Sequence, residues 1–142
     1  MKRIFLLLII AIVSHQITIA QTIKVKEVKN ADLAYVLNNI VKTTRFTDDK
    51  NNLLIRAYVV SDKSGSAHTE GTDEVTSSIY IAVSNDGEVP EQHLFRLASV
   101  YNPKLVNWVK TATGSGLVLT YGPASKMKKA TIQVGLKQLV IR

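Results

Sequence analysis

QHLFRLASVYNPKLVNWVKTATGSGLVLTYGPASKMKKATIQVGLKQLVIR, residues 92–142, is the stretch that decides the fold. Leu117, Leu119 and Tyr121 alternate with Val118 and Thr120, and Ile132, Val134 and Leu136 alternate with Thr131, Gln133 and Gly135. A two-residue period of this kind marks half-buried strands. His93–Tyr101 and Leu105–Thr111 read as two further strands, rich in branched and aromatic residues. Asn102-Pro103, Gly114-Ser115-Gly116 and Gly122-Pro123 separate the four runs as turn signals. Leu139 and Ile141 fall out of phase with the set before them, which implies a bulge near Lys137 and Gln138 or a change of sheet.

The upstream half continues the pattern. Leu53–Val60 reads as a strand with Arg56 and Tyr58 on one face and Ile55, Ala57 and Val59 on the other. Val75–Ser84 reads as another, with Tyr80 opposite Ile79 and Ile81, and it ends in the turn signal Asn85-Asp86-Gly87. Between them, Ser61–Glu74 is a long polar loop without a large apolar side chain. Nearer the start, Asn30 can cap a helix whose apolar face is Leu33, Val36, Leu37, Ile40 and Val41. Residues 47–52 then form a turn-rich loop. Gln21–Val28, with Ile23 and Val25 set against Lys24 and Lys26, reads as an edge strand. The expected fold is mainly β: an antiparallel sandwich or rolled sheet of about seven strands with one N-terminal amphipathic helix, α+β being the alternative label.

Residues 1–20 read as a cleaved signal peptide. Lys2 and Arg3 precede an unbroken apolar run from Ile4 to Val13, and Thr18-Ile19-Ala20 supplies a small-residue cleavage site before Gln21. Ten apolar residues are half of the roughly 20 that a membrane-spanning helix needs. The expected mature unit is one globular domain, residues 21–142, exported to a bacterial periplasm or the medium. With no cysteine in the chain, that domain has neither disulfide nor thiol-linked lipid and relies on its core.

The inventory of chemical motifs points away from an enzyme. No G-x-S-x-G elbow or dinucleotide fingerprint occurs, and no carboxylate side chain follows Glu91, so any acid–base pair must come from the first half. His68, with Glu70 and Asp73 in the 61–74 loop, is the one metal or general-base cluster worth weighing, although its spacing matches no known ligand set. A small metal-assisted hydrolase built on that loop is therefore one alternative, and a protein inhibitor presenting the loop is another. No cofactor is expected.

Charge is more informative. Residues 92–142 carry eight basic side chains and no acidic one, whereas residues 46–91 carry nine acids against three bases. The expected function is a non-catalytic binding module for an anionic envelope or extracellular partner, through Lys126, Lys128, Lys129 and Lys110, with Trp108 and Tyr121 as stacking platforms. Export disfavours nucleic acid as that partner.

Overall fold

The computed structural model describes residues 27–62, 76–112 and 114–142. Helix α1 (Ala31–Asn38) leads into strands β1 (Ile40–Asp48), β2 (Leu53–Ser61), β3 (Thr76–Asn85) and β4 (Gln92–Tyr101), which form one sheet in that order. Strands β5 (Lys104–Thr111), β6 (Gly114–Tyr121), β7 (Lys128–Val134) and β8 (Leu139–Ile141) form the second, also in order. Every pairing is antiparallel and joins neighbours in sequence, so each sheet is a meander. The chain passes between the sheets at Asn102-Pro103. The fold is the expected mainly-β sandwich with one short helix, but the described residues hold eight strands, not seven.

The two strands not expected, β1 and β8, each have a physical reason. The expected helix stops at Asn38, where the Asn39 amide turns back to the carbonyls of Tyr35 and Val36. Its start is as expected, since the Asn30 side chain accepts from the Leu33 amide at 2.9 Å. Ile40 and Val41, expected on its apolar face, instead open β1, which pairs with β2 through Thr43–Tyr58, Arg45–Arg56 and Thr47–Leu54. That pairing is worth more to Val41, Thr43 and Thr44 than another helical turn, because branched side chains are crowded in a helix. The helix covers little core: Leu33 and Leu37 stay exposed, and Tyr35 and Val36 are half-buried.

At the other end, the out-of-phase Leu139 and Ile141 mark neither a bulge nor a change of sheet. The Gly135 amide donates to the Gln138 carbonyl at 3.0 Å, the chain reverses, and β8 pairs back on β7 with Leu139 opposite Val134 and Ile141 opposite Ile132. Gly114-Ser115-Gly116 is likewise not a turn but the first part of β6. The expected strand at 21–28 lies outside the described residues except for Glu27 and Val28, which belong to no strand.

The core fills the space between the sheets. Ile55, Ile79 and Ile81 from one sheet meet Leu117 and Ile132 from the other, all fully buried. The alternating burial of β2 and β3 puts these residues on one face and leaves Arg56, Tyr58 and Tyr80 on the other. One side of the sandwich is closed by β1 against β5: Phe46 stacks on Trp108 with centroids 5.2 Å apart, and the Trp108 indole N–H donates to Thr44 Oγ1 at 3.1 Å. At the same side Lys42 Nζ donates to the Leu105 carbonyl at 3.2 Å. A polar pin also crosses the core, where buried Ser115 donates to Asp48 Oδ2 at 2.6 Å. The opposite side is tied by Lys137 Nζ to Glu91 Oε1 at 3.0 Å.

The passage between the sheets depends on one glycine. The Gly122 amide donates to the Tyr101 carbonyl at 2.8 Å, tying the end of β6 to the end of β4. Its φ is 118°, and a Cβ there would lie 2.8 Å from the Lys126 carbonyl oxygen. We predict that Gly122→Ala lowers stability by about 1–3 kcal/mol, since a side chain is strained at that φ and meets backbone. Gly87→Ala, in open space, should stay within about 0.5 kcal/mol. Urea unfolding midpoints distinguish the two outcomes, and equal midpoints would contradict the prediction.

No helix among the described residues is long and apolar enough to cross a membrane.

Candidate anion-binding face

The residues expected from sequence to bind an anion are only partly brought together: Lys128 stands opposite Tyr121 with Lys126 and Lys129 beside it in the chain, whereas Lys110 and Trp108 lie farther along β5. Lys126 lies in a single 3-10 turn (Ala124–Lys126), and Lys128 and Lys129 are the first two residues of β7 and not part of a loop. Lys129 shares the outer face of its sheet with Thr120 and Lys104, whereas Lys128 shares the inner face with Tyr121. Lys110 sits six residues along β5 from Lys104, about 20 Å away at strand rise. Trp108 points inward, engaged by Phe46 and Thr44. His68, Glu70 and Asp73 lie outside the described residues. Among the described residues no group of three or more His, Cys, Asp and Glu side chains could hold a metal. His93 Nε2 lies 3.0 Å from Glu91 Oε1 and the ring stacks on Phe95. The His93 and Lys137 hydrogen bonds hold the Glu91 carboxyl below its ordinary pKa.

A different cationic surface emerges on the outer face of the first sheet. Strand register places Thr43, Tyr58, Tyr80 and Arg96 side by side in one row, and Arg45, Arg56, Ala82 and Leu94 in the next. Three of the chain's five arginines therefore share one face with two of its five tyrosines. The strand positions on that face include no carboxylate. Arg45 and Arg56 are direct cross-strand partners, both exposed, and neither makes an ion pair or side-chain hydrogen bond among the described residues. Like charges directly opposite each other on a sheet are destabilising.

Arg96 is held differently. Its guanidinium lies over the Tyr80 ring, 5.6 Å from the centroid. Its Nε and Nη2 both donate to Ser78 Oγ, at 3.2 and 3.0 Å. Ser78 in turn donates to Asp62 Oδ1 at 2.7 Å. The other Asp62 oxygen is buried without a hydrogen-bond partner among the described residues. This relay fixes Arg96 at the margin of a polar cavity of about 540 Å³ under helix α1, lined by Asp32, Tyr35, Asp62 and Tyr80 among others. The Tyr35 hydroxyl donates to the Ser61 carbonyl and holds the helix there.

Part of this face was visible in the sequence, since Arg56 and Tyr58 share one side of a strand by simple alternation. Arg45 was hidden inside what read as the tail of a helix. Arg96 lay in a run without a clean period. Only register brings the three together.

No family model, no curated protein and no solved structure matches this chain.

Proposed function

We propose that this domain is an exported binding module for an acidic polysaccharide, which it takes across the outer face of the first sheet. The observation that carries the reading is the juxtaposed Arg45 and Arg56, unpaired among the described residues, beside the adjacent rings of Tyr58 and Tyr80. Guanidinium forks suit carboxylate and sulfate groups, which they bind through two parallel hydrogen bonds. Tyrosine offers an apolar ring with a polar tip, a match for the mixed surface of a sugar. A row spanning four strands about 4.8 Å apart gives an extended, flat platform suited to a polymer. Export rests on the signal-peptide character of residues 1–20.

The test is retention on immobilised heparin as the probe polysaccharide. Arg45→Ala/Arg56→Ala is expected to weaken binding at least about tenfold, since hydrogen bonds to charged groups contribute roughly 1.5–3 kcal/mol each. Lys126→Glu/Lys128→Glu/Lys129→Glu is expected to change it much less. Loss of retention in the lysine variant alone would move the site to the second sheet and overturn the proposal, as would failure of the wild type to bind at low salt. The arginine variant should also be slightly more stable, by about 0.2–1 kcal/mol, through relief of repulsion across the strand pair.

A further inference from the structure

The side of the sandwich where β4 faces β7 and β8 is tied by Glu91 and Lys137 at one end and opens at the other. The opening has a local cause. Between the Ser77–Val100 and Ile79–Leu97 pairs, Ala98 and Ser99 of β4 stand opposite the single residue Ser78. Ser99 takes φ 53°, and a bulge of this kind bends the strand that carries it. Beside it lies a cleft of about 420 Å³ whose walls are Leu97, Val100 and Tyr101 on one sheet and Tyr121, Ala130 and Ile132 on the other. Leu119 also lines it, and since Leu119 and Ile132 belong to the buried core, the cleft reaches into the interior of the sandwich.

Among the described residues no charged side chain lines the cleft, but strand register sets a cation next to two of its wall residues. Lys128 is opposite Tyr121 in register and two residues before Ala130, so it projects from the same face of the sheet as these two wall residues. It is exposed and has no ion pair or side-chain hydrogen bond among the described residues. Lys126 and Lys129 lie to either side of it in sequence, and residues 92–142 contribute no carboxylate side chain to oppose them.

We propose that this cleft holds the aliphatic chain of a single-chain anionic amphiphile, a fatty-acid-like carboxylate, with its head group at Lys128. The apolar walls select a hydrocarbon chain, and the cation beside them selects a negative head. The volume, near the lower end of the roughly 300–1,000 Å³ of small-molecule sites, favours one chain over the two of a phospholipid. This site is separate from the arginine face and stands without it.

Titration of the purified protein with dodecanoate, below the concentration at which it forms micelles, tests the proposal. One saturable site is expected. Lys128→Glu should weaken dodecanoate about tenfold or more while leaving dodecanol little changed, since a charged head has lost its partner and a neutral one has not. Ala98→Trp, at an exposed position in the wall, should abolish binding of both probes without lowering the melting midpoint or heparin retention. Absence of saturable dodecanoate binding would overturn the proposal, and so would unchanged affinity in a folded Ala98→Trp variant. Association with phosphatidylglycerol vesicles but not with dodecanoate would also overturn it, in favour of a membrane surface.

Discussion

Replacing Ile55 with alanine should lower the stability of the domain by about 2–5 kcal/mol, the range for emptying a buried isoleucine site. Ile55 is fully buried on the inner face of β2, where its neighbours in register are Phe46 on β1 and Val83 on β3. The strands around it are held by pairing on both sides and cannot collapse freely into the space, which favours the upper part of that range. For a domain of this size the melting midpoint should fall by roughly 10 °C or more. Val106→Ala, at an exposed position on β5, should move it little. A loss for Ile55→Ala as small as that of Val106→Ala would mean that the two sheets do not share the tight core described above.

The second large effect is expected at Asp48, the one buried carboxylate among the described residues. It joins the two sheets by accepting from Ser115 Oγ at 2.6 Å, and it also accepts from the Asn51 side chain at 2.9 Å and the Asn51 amide at 3.2 Å. Burial acts to raise its pKa, but the hydrogen bonds from Ser115, Asn51 and the Lys50 backbone together outweigh burial and hold it below the ordinary 3.8. Asp48→Ala should destabilise by about 2–4 kcal/mol, because it removes charge-assisted bonds and leaves Ser115 buried without its acceptor.

The pH dependence has a definite sign. A carboxyl whose pKa is depressed on folding stabilises the folded state above its unfolded pKa and loses that contribution as pH falls through the folded one. The advantage of wild type over Asp48→Asn should therefore be full near neutrality and shrink from about pH 3.8 downward. Denaturant melts of both proteins across acid pH check this, and a difference that persists unchanged to the lowest pH would sink it.

Strand residues were most legible where both neighbours in sequence declared themselves. The alternation of Leu117, Leu119 and Tyr121 and that of Ile132 and Val134 was enough to mark β6 and β7 as strands, although β6 begins at Gly114 and is buried on both faces, and β7 runs from Lys128 and stops at Val134, short of the expected Leu136. β1 was illegible for a specific reason: Leu33, Val36, Leu37, Ile40 and Val41 satisfy helical spacing, and only the partner strand β2 makes Ile40 onward extended. Lys128 and Lys129 follow closely on the turn signal Gly122-Pro123 and precede the visible alternation, yet their backbone pairs with Tyr121 and Thr120. The cationic face was harder still, since its members come from three separate strands. Counting basic residues along the chain pointed to the lysine-rich end, whereas cross-strand register gathers the arginines elsewhere.

The short passage at Asn102-Pro103 bears on how the chain reaches this fold. Because each sheet is completed before the next begins, every strand pair is a hairpin between adjacent segments. The loop closures needed for pairing are therefore short apart from residues 62–75 between β2 and β3, and closure entropy grows only slowly with length. The distant contacts, such as Phe46 with Trp108 and Asp48 with Ser115, come only from laying one finished meander on the other. Sandwiches that weave strands between sheets must wait for remote segments to meet before either sheet is whole. This topology separates hairpin formation from docking, and it places the domain toward the faster end of the millisecond-to-second range of all-β folding.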